Sequence, residues 1–187
     1  DRTVMTTQLL APGDCSAWPE SGALVPLPTG ELLAAWPELE TFGETGIGGY
    51  VLQTARLAES GYAGGPWAHD DLPEVRSIEL PVHADPTDQP LVAFIVDFDD
   101  RLHAAVVAPD GAIAGPAIQI AEDIVHIAAA PGAPGTSIVA TCEREVVLRA
   151  VDGTGNVVWT QSVADADCDD WRAPGLASLP DGTMAVG

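Results

Sequence analysis

Residues 3–18 (TVMTTQLLAPGDCSAW) return 153 positions later as residues 156–171 (NVVWTQSVADADCDDW). Val4 matches Val157, Thr7 Thr160, Gln8 Gln161, Ala11 Ala164, Asp14 Asp167, Cys15 Cys168 and Trp18 Trp171, without a gap. After a one-residue slip the match resumes, with Leu27-Pro28-Thr29-Gly30 against Leu179-Pro180-Asp181-Gly182. A chain that repeats itself at this distance is built from stacked supersecondary units, because each unit buries its apolar face on the next.

Between the copies the units are short and strand-like. Val106–Gly111 and Leu148–Gly153 are apolar runs ending in Asp-Gly, each followed by another apolar run, which reads as a β-hairpin. Strands are expected at 91–98, 102–108, 112–120, 124–129, 137–142, 145–151 and 156–163. Residues 32–39 resemble a helical turn, but Pro37 interrupts it and the repeat assigns the segment to a strand. The 19 Gly and 16 Pro fit many short strands rather than long helices. Units of four strands in 40–50 residues have the size of propeller blades. The expected fold is therefore all-β, a β-propeller of about three four-stranded blades plus partial ones. Its units are an outer strand at 1–17, blades at 18–73 (with insertions near 37–49 and 60–73), 74–122 and 123–170, and the start of another at 171–187. The alternative is a β-sandwich, which uses similar strand spacing but does not call for sequence repetition. Residues 184–187 stop partway through the second strand of a unit. A longer repeat protein, or a second chain completing the ring, is the corresponding expectation.

Composition narrows the partners. There are 28 acids against 7 bases, a formal charge of −21, and no lysine. Nucleic acid is excluded as a partner, because it requires clustered cations. No apolar run reaches the roughly 20 residues of a membrane-spanning helix. The acidity favours basic or cation-bridged partners, or else reflects a saline habitat. No signal peptide is visible at Asp1-Arg2-Thr3.

The segments Val157–Thr160, Asp167–Asp170, Leu176–Gly182 and Met184–Gly187 resemble the bacterial β-propeller repeat family, with its VLWT strand, acidic loop, DG hairpin and VVVAG strand. The N-terminal copy departs from it, with Thr6 for the Trp and Ser16-Ala17 for the acidic pair. The resemblance implies a secreted, periplasmic or cell-surface protein, and it carries no catalytic residue.

Candidate chemistry is sparse. Cys142 and Cys168 fall in one unit, and pairing them closes a loop of about 25 residues, worth roughly 3 kcal/mol. By the repeat, the counterpart of Cys142 for Cys15 falls before residue 1, which accounts for an odd count of three. Asp165, Asp167, Asp169 and Asp170 alternate in a way that offers hard oxygens to calcium, the one cofactor expected. The sixth and twelfth positions from Asp165 are Asp170 and Leu176, unlike an EF-hand. Asp97-Phe98-Asp99-Asp100 is a second acidic loop, and His69-Asp70-Asp71 a third cluster. His83, His103 and His126 have no partner at zinc spacing. No G-x-S-x-G occurs, and the glycine-rich stretch at 43–49 lacks a phosphate-loop lysine. Trp18 and Trp171 repeat in register as structural residues, whereas Trp67 lies in an insertion, a candidate for recognising a sugar ring or a protein. The function expected is a non-enzymatic scaffold whose loops bind a protein or glycan. The alternative is a propeller hydrolase, lyase or quinone-dependent dehydrogenase acting at the central channel.

Overall fold

A computed structural model describes residues 22–27, 29–39, 49–81, 91–108, 110–142, 145–167, 175–179 and 183–186. They are all-β: no helix occurs among them, and the strands form four antiparallel sheets, none closed on itself. The first sheet holds β1 (Ala23–Pro26), β2 (Leu32–Leu39), β3 (Tyr50–Ala58) and β4 (Gly61–His69). The second holds β5 (Val75–Glu79), β6 (Leu91–Asp97), β7 (Leu102–Val107) and β8 (Ile118–Ala121). The third holds β9 (His126–Pro131), β10 (Thr136–Cys142), β11 (Glu145–Asp152) and β12 (Val157–Asp167). A hairpin of β13 (Leu176–Ser178) and β14 (Met184–Val186) follows. Within every sheet the strands lie in chain order, each paired with the next.

Strand β6 shows why the sheets stack. All seven of its residues are buried, so it has no alternating pattern. Leu91, Ala93 and Ile95 join Val25, Leu33 and Leu52 of the first sheet in one core cluster. Val92, Phe94 and Val96 face the other way, onto Ile127, Val139 and Val151 of the third sheet. A strand buried on both faces reads as a continuous apolar run. A third cluster, Ala140, Val146 and Leu148, takes Leu176 and Val186 of the last hairpin. The first strands also meet in succession, β5 against β9 and β9 against β13.

One turn recurs along the chain. In Leu27–Glu31, Asp97–Arg101, Ala108–Ala112, Gly132–Thr136 and Asp152–Asn156 the first N–H donates to the fifth carbonyl at 2.8–3.0 Å. The fourth residue is left-handed in each: Gly30, Asp100, Gly111, Gly135 and Gly155. This is the three-residue hairpin loop with a left-handed bulge residue. The same bond joins Leu179 N to Thr183 O, in the segment the repeat sets against Leu27–Glu31.

Several local expectations shift. The expected Asp152-Gly153 turn is longer, and its left-handed residue is Gly155, not Gly153. Asp152 Oδ1 makes that length work by accepting from Thr154 Oγ1, Thr154 N and Asn156 N. These bonds, the Thr154 hydroxyl first, hold the carboxyl below its ordinary range. Residues 61–69, expected as part of an insertion, form the fourth strand of the first sheet, because Leu52, Gln53 and Thr54 of β3 pair with His69, Ala68 and Trp67. The strand expected over 112–120 is reduced to one bridge, Val107 to Ile113, before β8. Here Gly115 and Pro116 interrupt the apolar run.

Candidate functional site

The meander fixes which connections share an end. Val75 pairs with Asp97, so the β4–β5 link lies beside the β6–β7 turn. Cys142 pairs with both His126 and Val146, bringing the β8–β9 link and the β10–β11 turn together. One backbone bond joins the two pairs, Ile124 N donating to Asp100 O at 2.8 Å, while Val125 N donates to Cys142 O at 3.0 Å within the second pair.

Arg76 is the fastener of this end. It is the extra residue of a bulge in β5, between the pairs Val75–Asp97 and Ser77–Val96, and a bulge re-aims its side chain. Its Nη1 donates to Asp100 Oδ1, and its Nη2 donates to the carbonyls of Ile124 at 2.9 Å and Val125 at 3.3 Å. One guanidinium thus ties the second sheet to the link that opens the third.

The β6–β7 turn is held from inside by Asp97, which is 4% exposed. Its Oδ1 accepts from Asp99 N and Arg101 N, each at 2.9 Å. Its Oδ2 lies 2.9 Å from His103 Nε2, a buried pair. Burial pushes the Asp97 carboxyl up, but the Arg101 and Asp99 amides and His103 together outweigh it and hold it below its ordinary range. The anchored turn presents Phe98 outward, 49% exposed. Its ring stacks on Tyr50, the first residue of β3, with centroids 5.5 Å apart and planes 22° apart.

Around this pair the surface is acidic. Asp70, Asp71, Glu74, Asp99, Asp100, Glu122, Asp123 and Glu145 are all exposed on connections or strand starts at this end. Among the described residues of this end both arginines are engaged, Arg76 with Asp100 and Arg101 with Asp99 at 3.2 Å. The turns at the opposite end carry Glu31, Glu59, Asp110 and Asp152, and Glu31 is paired with Arg56 at 3.5 Å.

The residues singled out in the sequence separate. Trp67 lies half-buried on β4, its ring over Gly64 and Gly65, where an added Cβ would come within 2.7 and 2.8 Å of it. It packs on its own strand and reaches Gly111 of the next sheet. His69 ends β4, with Nε2 2.8 Å from Thr54 Oγ1. Because that hydroxyl donates to Gly111 O at 3.0 Å, His69 Nε2 must donate to it. Burial lowers the His69 pKa, against the opposing pull of Asp71 and Asp70. His69 thus orients the Thr54 hydroxyl, whose bond to Gly111 O links the first sheet to the second, while Asp70 and Asp71 are exposed to solvent. Asp165 and Asp167 belong to the backbone of β12 rather than to a loop. Asp169, Asp170 and Cys168 lie outside the described residues, as do His83, Trp18 and Trp171. Among the described residues no group of three or more His, Cys, Asp or Glu could hold a metal ion. Cys142 ends β10 and is buried, 2% exposed; Cys15, like Cys168, lies outside the described residues. Reading the sequence by motif passes over the Phe98–Tyr50 stack. Its only signals there are an aromatic set among the acids of residues 97–100 and Tyr50 directly after a glycine-rich run.

Comparison with family models, with curated proteins and with solved structures found no match for this chain.

Proposed function

We propose that the chain is a non-enzymatic binding scaffold of a secreted or cell-envelope bacterial protein, built as propeller blades. In this reading the end bearing Phe98 binds a basic segment of a partner protein. The blade reading is supported by four-stranded meanders in chain order, by stacking through both faces of the second sheet, and by the meeting of β5 with β9 and of β9 with β13. The binding reading is carried by one observation: a half-exposed Phe98, braced by Tyr50, among exposed carboxylates. Exposed aromatic faces attract Arg and Lys side chains, and surrounding acids steer them in.

The probe is a short arginine-rich peptide, titrated against the protein at low and moderate salt, with a glycan panel beside it. Binding is expected to weaken with salt, and Phe98→Ala to weaken it by about 1 kcal/mol, roughly fivefold in Kd. Asp99→Asn should weaken it less and reduce the salt dependence. Peptide binding that is indifferent to Phe98, or glycan binding alone, would refute the basic-partner reading.

The disulfide belongs to the same proposal. Asp167, the last residue of β12, pairs with Glu145, just across the turn from Cys142, so β12 finishes at the end where Cys142 lies. This supports the Cys142–Cys168 pairing. Peptide mapping without reductant should recover the two cysteines in one linked fragment, and reduction should lower stability by about 3 kcal/mol. A Cys142–Cys15 fragment would overturn it. Calcium at Asp165, Asp167, Asp169 and Asp170 remains part of the proposal, and calorimetric titration with calcium alone tests it.

A further inference from the structure

The three four-stranded sheets end in outer strands of unequal character. β4 carries Gly61, Gly64, Gly65 and Pro66, with two irregularities in its pairing. β8 is four residues long. Both are poor templates for a further strand, as outer edges normally are. β12 differs: it runs eleven residues, pairs among the described residues with β11 alone, and has no Gly or Pro. From Val157 to Val163 it also has no charge, in a chain of formal charge −21. Residues 157–162 are exposed, with Val158 at 58% and Trp159 at 41%.

Pairing irregularities bound the usable edge. Val158 is bulged between the pairs Val151–Val157 and Ala150–Trp159, and the register breaks again after Val163. Between them Trp159–Val163 is a regular ladder on β11. This five-residue run is complementary to itself when two copies meet antiparallel about Gln161. Trp159 then faces Val163 twice, Thr160 faces Ser162 twice, and Gln161 faces Gln161. Aromatic with β-branched and Thr with Ser are favourable cross-strand pairs, and a two-fold axis makes such a contact close on itself.

We propose that β12 pairs edge to edge with β12 of a second copy of this chain, centred on Gln161. The contact is small and joins two strongly acidic bodies, so the dimer is weak and strengthens with salt. Sedimentation across a concentration series should show 19.3 kDa chains passing to dimers, more readily at roughly 1 M salt, where the screening length is about 3 Å. Gln161→Lys sets two cations face to face and Gln161→Glu two anions, so each variant alone should remain monomeric at moderate salt. Mixed in equal amounts they should recover the dimer. Gln161 is exposed, and circular dichroism confirms that both variants keep the fold. A wild type monomeric at every concentration and salt, a dimer unaffected by either variant, or a mixture that stays monomeric would each overturn the proposal.

Discussion

Alanine at position 97 should cost the fold about 3–5 kcal/mol, the range seen when one partner of a buried pair is removed. Three losses coincide there. The Asp99 and Arg101 amides lose the oxygen that fixes the turn, and His103 Nε2 loses its partner in a buried site. Asp97→Asn separates these terms, because its amide oxygen still serves the two backbone donors. It should cost less than alanine, and the difference measures the turn. The pH dependence carries a sign. The folded Asp97 pKa lies below its ordinary value of about 3.8. Its contribution is therefore fully present above that value and is lost as pH falls through the folded pKa. Urea unfolding at neutral pH should show the full gap between wild type and Asp97→Asn, and the gap should narrow steadily in acid. A gap that does not change with pH would mean the carboxylate charge is not what the site uses. Because the same turn carries Phe98 and Asp100, peptide binding and the Arg76 contact should weaken together in Asp97→Ala.

The chain's class was legible because periodicity and turn chemistry survive translation into structure. Apolar runs broken by Gly and Pro became strands, and the run at 91–97 lacked alternation because both of its faces are covered. The phase of individual turns was less legible. Asp152-Gly153 looks like a two-residue hairpin turn, yet Asp152 uses its side chain to cap a longer loop. The glycines and proline of β4 hid a strand, because β3 tolerates two irregularities in pairing with it. The acidic loops at 70–71 and 97–100 were visible singly, but not that they share one end. Nothing local in the sequence announces that Tyr50 meets Phe98, or that Arg76 reaches Asp100 and Ile124, since these contacts exist only once separate sheets are stacked. Trp67 illustrates the same limit: after Gly64-Gly65-Pro66 it is a candidate for recognition or for a loop anchor, and only the fold shows its ring lying down on those two glycines.

How the sheets interlock can be measured with two glycines in one turn type. Gly30 and Gly111 are both left-handed fourth residues, with φ of 82° and 90°. An added methyl at Gly30 meets nothing within 4 Å. At Gly111 it would stand 2.9 Å from Leu33 Cδ1 and 3.5 Å from both Arg56 and Trp67, all of the preceding sheet. Gly30→Ala should therefore cost only the left-handed backbone penalty, about 1–2 kcal/mol. Gly111→Ala adds overpacking of about 1–3 kcal/mol to the same penalty. It also pushes on the carbonyl that accepts from Thr54, and so on the neutral His69 behind it. The difference between the two variants, from denaturant midpoints with unchanged slopes, isolates the contact between the first two sheets. Equal costs would mean the turn is not wedged against its neighbour. A larger cost at Gly111, with His69 titrating closer to an ordinary imidazole by NMR, would show that one turn both seals the sheet junction and keeps that histidine neutral.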